Sequence, residues 1–122
     1  MNNAALLRRI PYRYIEHFII NTKKDDYKNK SYTYVIKYDN KIKMGYSNDI
    51  YKRFSNHYKI LGCAEILRMQ RFHSSNESER FVERLAKYSS NNSYINNEKN
   101  ETTILKTYDD LNAGKYRILD KS

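Results

Sequence analysis

The sequence predicts a small α/β domain of the α+β kind, a three-stranded antiparallel sheet flanked by helices, on three observations. Residues 32–38 and 41–46 are rich in β-branched and aromatic side chains, and only Asp39 and Asn40, a pair suited to a tight hairpin turn, separate them. Tyr51, Phe54, Tyr58 and Leu61 then recur at three- and four-residue spacing, the buried stripe of an amphipathic helix. A further strand-like run, residues 64–72, leads into a second stripe of Phe81, Val82, Leu85 and Tyr88.

Taken in order, residues 4–20 mix apolar and basic side chains, with Pro11 at a break or a helix start and a short helix over 12–20. Residues 21–31, NTKKDDYKNKS, have no apolar periodicity and read as a linker or long loop. The hairpin follows. Ser47, Asn48 and Asp49 offer side-chain oxygens to cap the first striped helix, and Gly62 ends it. In AEILRMQRF, Ile66 among charged neighbours suits a third strand, while Leu67 and Met69 break the phase. Residues 74–78 are a polar, cap-forming loop, and the second striped helix ends near Ser89. The chain closes with an Asn-rich stretch around 90–103 and a helix or strand from Ile104. No internal repeat is present.

With 122 residues the chain is one domain with a modest core. Its 23 basic and 14 acidic residues leave a net charge of +9, a field that attracts polyanions, of which nucleic acid is the commonest inside cells. Cys63 is the only cysteine, which excludes an internal disulfide and a cysteine metal cluster. No apolar run approaches the roughly 18 residues a membrane helix needs, and Arg8 and Arg9 precede a broken apolar run, so a soluble, intracellular protein with no membrane partner is expected. Thirteen tyrosines with no tryptophan supply rings that pack in a core, hydroxyls for water or phosphate, and faces that stack on bases.

The chemistry-bearing residues gather between 32 and 57. Arg53 and His57 are four apart and so share a helix face, about 100° from the centre of the apolar stripe, at the edge of the core. Such a flank is ordinarily solvated. Here, though, it follows a hairpin carrying Tyr34 on one strand and Lys43-Met44-Gly45 on the other, and a tyrosine, a lysine, an arginine and a histidine together are what phosphodiester cleavage requires, short of a metal-binding carboxylate.

These residues resemble the GIY-YIG nucleases. Tyr32-Thr33-Tyr34 stands where the family has Gly-Ile-Tyr, with Tyr32 in place of the glycine, and Lys43-Met44-Gly45 stands for the second motif. Arg53 falls eight residues after Gly45, on a helix as in the family, and His57 matches a histidine found in some of its homing endonucleases. The lysine form is similar to the subgroup common in phages and large DNA viruses. The resemblance covers residues 32–95. It divides the chain into an N-terminal extension and linker (1–31), a nuclease domain (32–95) and a C-terminal extension completing it (96–122).

The resemblance implies a metal-dependent DNA endonuclease, or a catalytically weak nucleic-acid-binding module on the same fold. Its catalytic residues would be Tyr34, Lys43, Arg53, His57 and Glu79, and Tyr46, Lys52, Arg53 and His57 would touch nucleic acid. Glu79 would bind Mg²⁺ or Mn²⁺, with Glu83 and Glu77 next in line. Tyr34 would deprotonate or position water as a phenolate, Arg53 would hold the scissile phosphate, and Gly45 would let the backbone turn close to the site. A family asparagine has candidates in Asn91, Asn92, Asn96 and Asn97. The substrate could be plain or branched DNA, or RNA. So small a nuclease would have low specificity, form a homodimer or use a partner. The five catalytic residues are expected on one concave surface of the sheet.

Overall fold

A computed structural model of the chain describes residues 12–61, 64–89 and 94–114. Pro11, Gly62, Cys63, Asn91 and Asn92, with the expectations attached to them, lie outside these. The order is α1 (Ile15–Asn21), a 3-10 turn (Lys24–Tyr27), β1 (Lys28–Tyr38), β2 (Lys41–Asp49), α2 (Ile50–Leu61), β3 (Glu65–Phe72), α3 (Ser75–Tyr88), β4 (Ile95–Asn97), a second 3-10 turn (Glu98–Asn100) and α4 (Glu101–Asn112).

The sheet has four strands in the order β3-β1-β2-β4, with every described pairing antiparallel. The expected three strands are therefore one short: β4 comes from the Asn-rich stretch, which carries no alternation and joins the sheet through its main chain opposite Lys41, Ile42 and Lys43. The hairpin turn matches its sequence. Asp39 and Asn40 both take positive φ, 46° and 61°, which the twist of a two-residue hairpin demands and which these side chains tolerate.

Helices cover both faces. Val35, Ile42 and Met44 pack with Phe81, Val82 and Leu85 of α3 and Ile104, Tyr108 and Leu111 of α4. On the opposite face, Tyr34 and Ile36 pack with Ile15 and Phe18 of α1 and Ile50 and Phe54 of α2. The split follows strand alternation, which sends neighbouring side chains of β1 to opposite faces. Two β1 positions toward α3 and α4 are polar yet paired: Ser31 shares a 2.7 Å hydrogen bond with Ser78, and Thr33 one of 2.7 Å with the Tyr108 hydroxyl.

Four local expectations change. Residues 75–78, expected in a loop, are the first turn of α3, with Ser74 as its N-cap. Residues 21–31 are not all loop: Lys24–Tyr27 is a 3-10 turn and β1 begins at Lys28, its first residues disguised by the positive φ of Asn29 and a register irregularity before Tyr32. In β3, Leu67 is the extra residue where pairing steps from Val35 opposite Arg68 to Ile36 opposite Ile66, so the broken phase in the sequence is a β-bulge. Among the described side chains of α2, which exclude Ile60 and the expected stripe member Leu61, the buried ones are Ile50, Phe54 and His57, whereas Tyr51 is half-buried and Tyr58 exposed. The two tyrosines stay at the rim because their hydroxyls reach polar partners, Tyr51 donating to the Ile19 carbonyl and Tyr58 to the Glu16 carboxylate.

Candidate functional site

The Asp49 carboxylate caps α2 by accepting from the Lys52 backbone N–H (3.1 Å), and this fixes where Arg53 and His57 fall. Across the hairpin, Tyr34 pairs directly with Gly45. A Cβ at residue 45 would fall 2.5 Å from the Tyr34 hydroxyl oxygen and 2.7 Å from its Cζ. Gly45 is therefore needed for close approach and not for a turn as expected: it lies inside β2, and the missing side chain is the room in which the Tyr34 ring lies.

Tyr34 is 1% exposed, edge-on to Phe54 and His57. Its hydroxyl accepts from the Arg53 Nη1 (3.3 Å). Lys43 Nζ stands 3.1 Å from His57 Nε2. His57 is not on a solvated flank but buried, because Lys43 gives its ring a polar partner inside the core. Burial above all, then the charges of Lys43 and Arg53, push the His57 pKa down to about 4, so the ring is neutral at pH 7. A neutral ring receiving the Lys43 ammonium on Nε2 carries its own hydrogen on Nδ1, a buried atom with no hydrogen-bond partner among the described residues. Burial and then Arg53 lower the Lys43 pKa. Burial raises that of Tyr34, against the charge and hydrogen bond of Arg53, so Tyr34 rests as a neutral phenol.

A cleft of about 560 Å³ opens here around the free stretch of the β2 edge beyond β4. Tyr34, Lys43, Gly45 and Arg53 line it from the α2 side, and Tyr46, Ser75 and Val82 from the α3 side, and Asn48, Tyr94 and Ile95 also line it. The structure thus brings together four of the five expected catalytic residues, with His57 seated behind Lys43. It does not bring Glu79 onto their face. Glu79 is exposed on α3, in the helical stripe Ser75-Glu79-Val82, and stands beside Tyr46, whose phenol is held above its ordinary pKa by burial and then by the Glu79 charge and hydrogen bond. Glu79 is not among the lining residues, and the α3 side chains that line the cleft are Ser75 and Val82. Glu77 points to a separate hollow with Arg80 and Arg84, and Glu83 is exposed. Lys52 is exposed on α2 outside the lining, and Asn96 and Asn97 lie on β4.

For a metal, the described residues hold no group of three His, Cys, Asp or Glu. One carboxylate nevertheless fits Mg²⁺, which keeps several waters and takes substrate phosphates as ligands. Glu79, held beside the lining residue Tyr46, is the candidate carboxylate. Tyr94, Ile95, Asn48, Ser75 and Val82 line the cleft without having been expected there; the one available signal was Tyr94, a lone aromatic in an Asn- and Ser-rich tract. Among the described residues no helix is long and apolar enough to cross a membrane. Compared with protein-family models, curated proteins and solved structures, the chain gives no match.

Proposed function

We propose that the protein is a nucleic-acid endonuclease of GIY-YIG type that hydrolyses phosphodiester bonds in the cleft at the β2 edge. The observation that carries this reading is the assembly of Tyr34, Lys43 and Arg53 around Gly45, a glycine whose absent side chain the Tyr34 phenol requires. A net charge of +9 draws a polyanion to it.

In this reading Arg53 and Lys43 hold the scissile phosphate and stabilise the charge that grows on it. Arg53 occupies one lone pair of the Tyr34 oxygen; the other accepts a proton from the attacking water while the phenol gives its own hydrogen to a non-bridging phosphate oxygen. The water oxygen bonds to phosphorus, the bond to the leaving sugar oxygen breaks, and that oxygen takes the proton parked on the phosphate. No phenolate is formed, in keeping with the raised pKa of Tyr34. His57 is a positioning residue that holds the Lys43 ammonium. Glu79, with water and substrate phosphate, would hold Mg²⁺ or Mn²⁺, whose chemistry is Lewis-acid stabilisation of the leaving oxygen.

The presence of Val82 in the cleft lining, and of no carboxylate among the lining residues, favours a second reading: a module that binds nucleic acid without cutting it. Incubation of purified protein with supercoiled plasmid in Mg²⁺ or Mn²⁺, with EDTA as control, separates the two. Metal-dependent nicking supports the endonuclease; salt-sensitive binding without cleavage in either metal supports the binding module.

A further inference from the structure

We infer that the cleft takes an unpaired nucleotide, its base against Tyr94 and Ile95 and its phosphate on Arg53 and Lys43, so that the substrate is single-stranded nucleic acid or a duplex carrying an unpaired segment. This rests on the nucleic-acid reading of the cleft. Four large hydrophobic residues are prominently exposed among those described: Ile20 (70%), Tyr58 (38%), Tyr94 (48%) and Ile95 (48%). Two of the four are sequence neighbours lining the same cleft as Lys43 and Arg53.

The pair is fixed in place. Ile95 sits directly opposite Lys43 in the β2–β4 ladder, which brings their side chains to adjacent positions on one face. The Tyr94 carbonyl accepts from the Met44 N–H at 2.9 Å. A cationic wall and an exposed apolar wall thus line one opening, to which Tyr46 adds a half-buried second ring. A free phosphate would need only the first wall. A paired duplex offers phosphates to the first but keeps its base faces inside the stack, leaving the second bare. An unpaired nucleotide satisfies both, because its exposed base has a π-face for an aromatic ring while its phosphate meets the arginine and lysine. The volume of about 560 Å³ lies in the usual range of small-molecule sites.

The test measures binding of the full chain, in EDTA so that nothing is cut, to a fluorescent single-stranded DNA and to the blunt duplex of the same sequence, at several salt concentrations. A 2-aminopurine in the single strand reports stacking. The wild type should prefer the single strand and quench the 2-aminopurine. Tyr94→Ala should weaken single-strand binding about tenfold, abolish the quenching and leave duplex binding unchanged, while Tyr94→Phe keeps both. Arg53→Ala should weaken both substrates alike. An RNA strand of the same sequence tests whether the sugar matters, and equal binding leaves the inference intact. Equal wild-type affinity for strand and duplex, with Tyr94→Ala silent, overturns the inference and leaves the proposed function standing. Absence of salt-sensitive binding to either nucleic acid overturns both.

Discussion

Replacing Gly45 with alanine opposes two effects whose sizes the structure fixes. A glycine inside a strand costs about 0.5–1 kcal/mol relative to alanine through backbone entropy, so in open space the substitution would stabilise. The new methyl carbon, however, meets the Tyr34 hydroxyl at 2.5 Å and Cζ at 2.7 Å, well inside contact distance. Tyr34 cannot swing aside, since it is fully buried between Phe54 and His57 with its hydroxyl held by Arg53. Overpacking of this kind costs about 1–3 kcal/mol and outweighs the entropic gain. Gly45→Ala should therefore lower stability by about 1–2 kcal/mol, a fall in Tm of about 3–8 °C, measured by thermal and urea unfolding. A phenol displaced by even about 1 Å should lower cleavage about 10²-fold. The double variant Tyr34→Phe/Gly45→Ala should be less unstable than the sum of its parts, because the worst contact is with the hydroxyl. A Gly45→Ala protein as stable as the wild type, or more so, would refute the claim that the glycine exists to make room for Tyr34.

Glu79→Gln should retain nucleic-acid binding, since it removes a negative charge from beside the cleft residue Tyr46, yet lower Mg²⁺-supported cleavage about 10²-fold, whereas Glu77→Gln should cut normally. Normal cleavage by Glu79→Gln would remove that residue from the metal site. For His57, a pKa depressed from 6.5 to about 4 means that the unfolded chain takes up a proton first as pH falls. Its contribution is complete above pH 6.5 and is lost between there and pH 4, amounting to roughly 3 kcal/mol at most. Urea unfolding across that window should show a shallower pH dependence in His57→Gln than in the wild type; equal slopes would mean that the ring is not buried in its neutral form.

The hairpin was legible because Asp39-Asn40 suits the positive φ its turn requires. The α3 stripe was legible too, with Phe81, Val82 and Leu85 all buried at helical spacing. In α2 the reading slipped because tyrosine counts as apolar in a periodicity yet keeps its hydroxyl at the surface. Ile50 and the partnered His57 took the core positions assigned to Tyr51 and Tyr58. β4 was hidden because it has only three residues, Ile95–Asn97, mostly exposed and too few to show an alternating pattern. Within the site, the order and spacing of Tyr34, Lys43, Gly45 and Arg53 could be read, but the contact that makes Gly45 necessary depends on strand register. The single concave face was expected wrongly for Glu79: alternation along β2 sends Lys43 toward α2 and Tyr46 toward α3, and Glu79 goes with Tyr46.

Single-turnover cleavage by Arg53→Lys, beside the wild type at saturating protein, tests the assembled site most directly. The substitution keeps the charge but removes the planar fork that donates to Tyr34 and, in the proposed function, would hold phosphate, on an exposed side chain whose loss leaves the core intact. The account predicts metal-dependent cleavage by the wild type and a rate about 10²-fold lower in Arg53→Lys, with Tm unchanged and nucleic-acid affinity within a few fold. Wild-type cleavage rates in Arg53→Lys, or a folded, nucleic-acid-bound wild type that cuts in neither Mg²⁺ nor Mn²⁺, would contradict it.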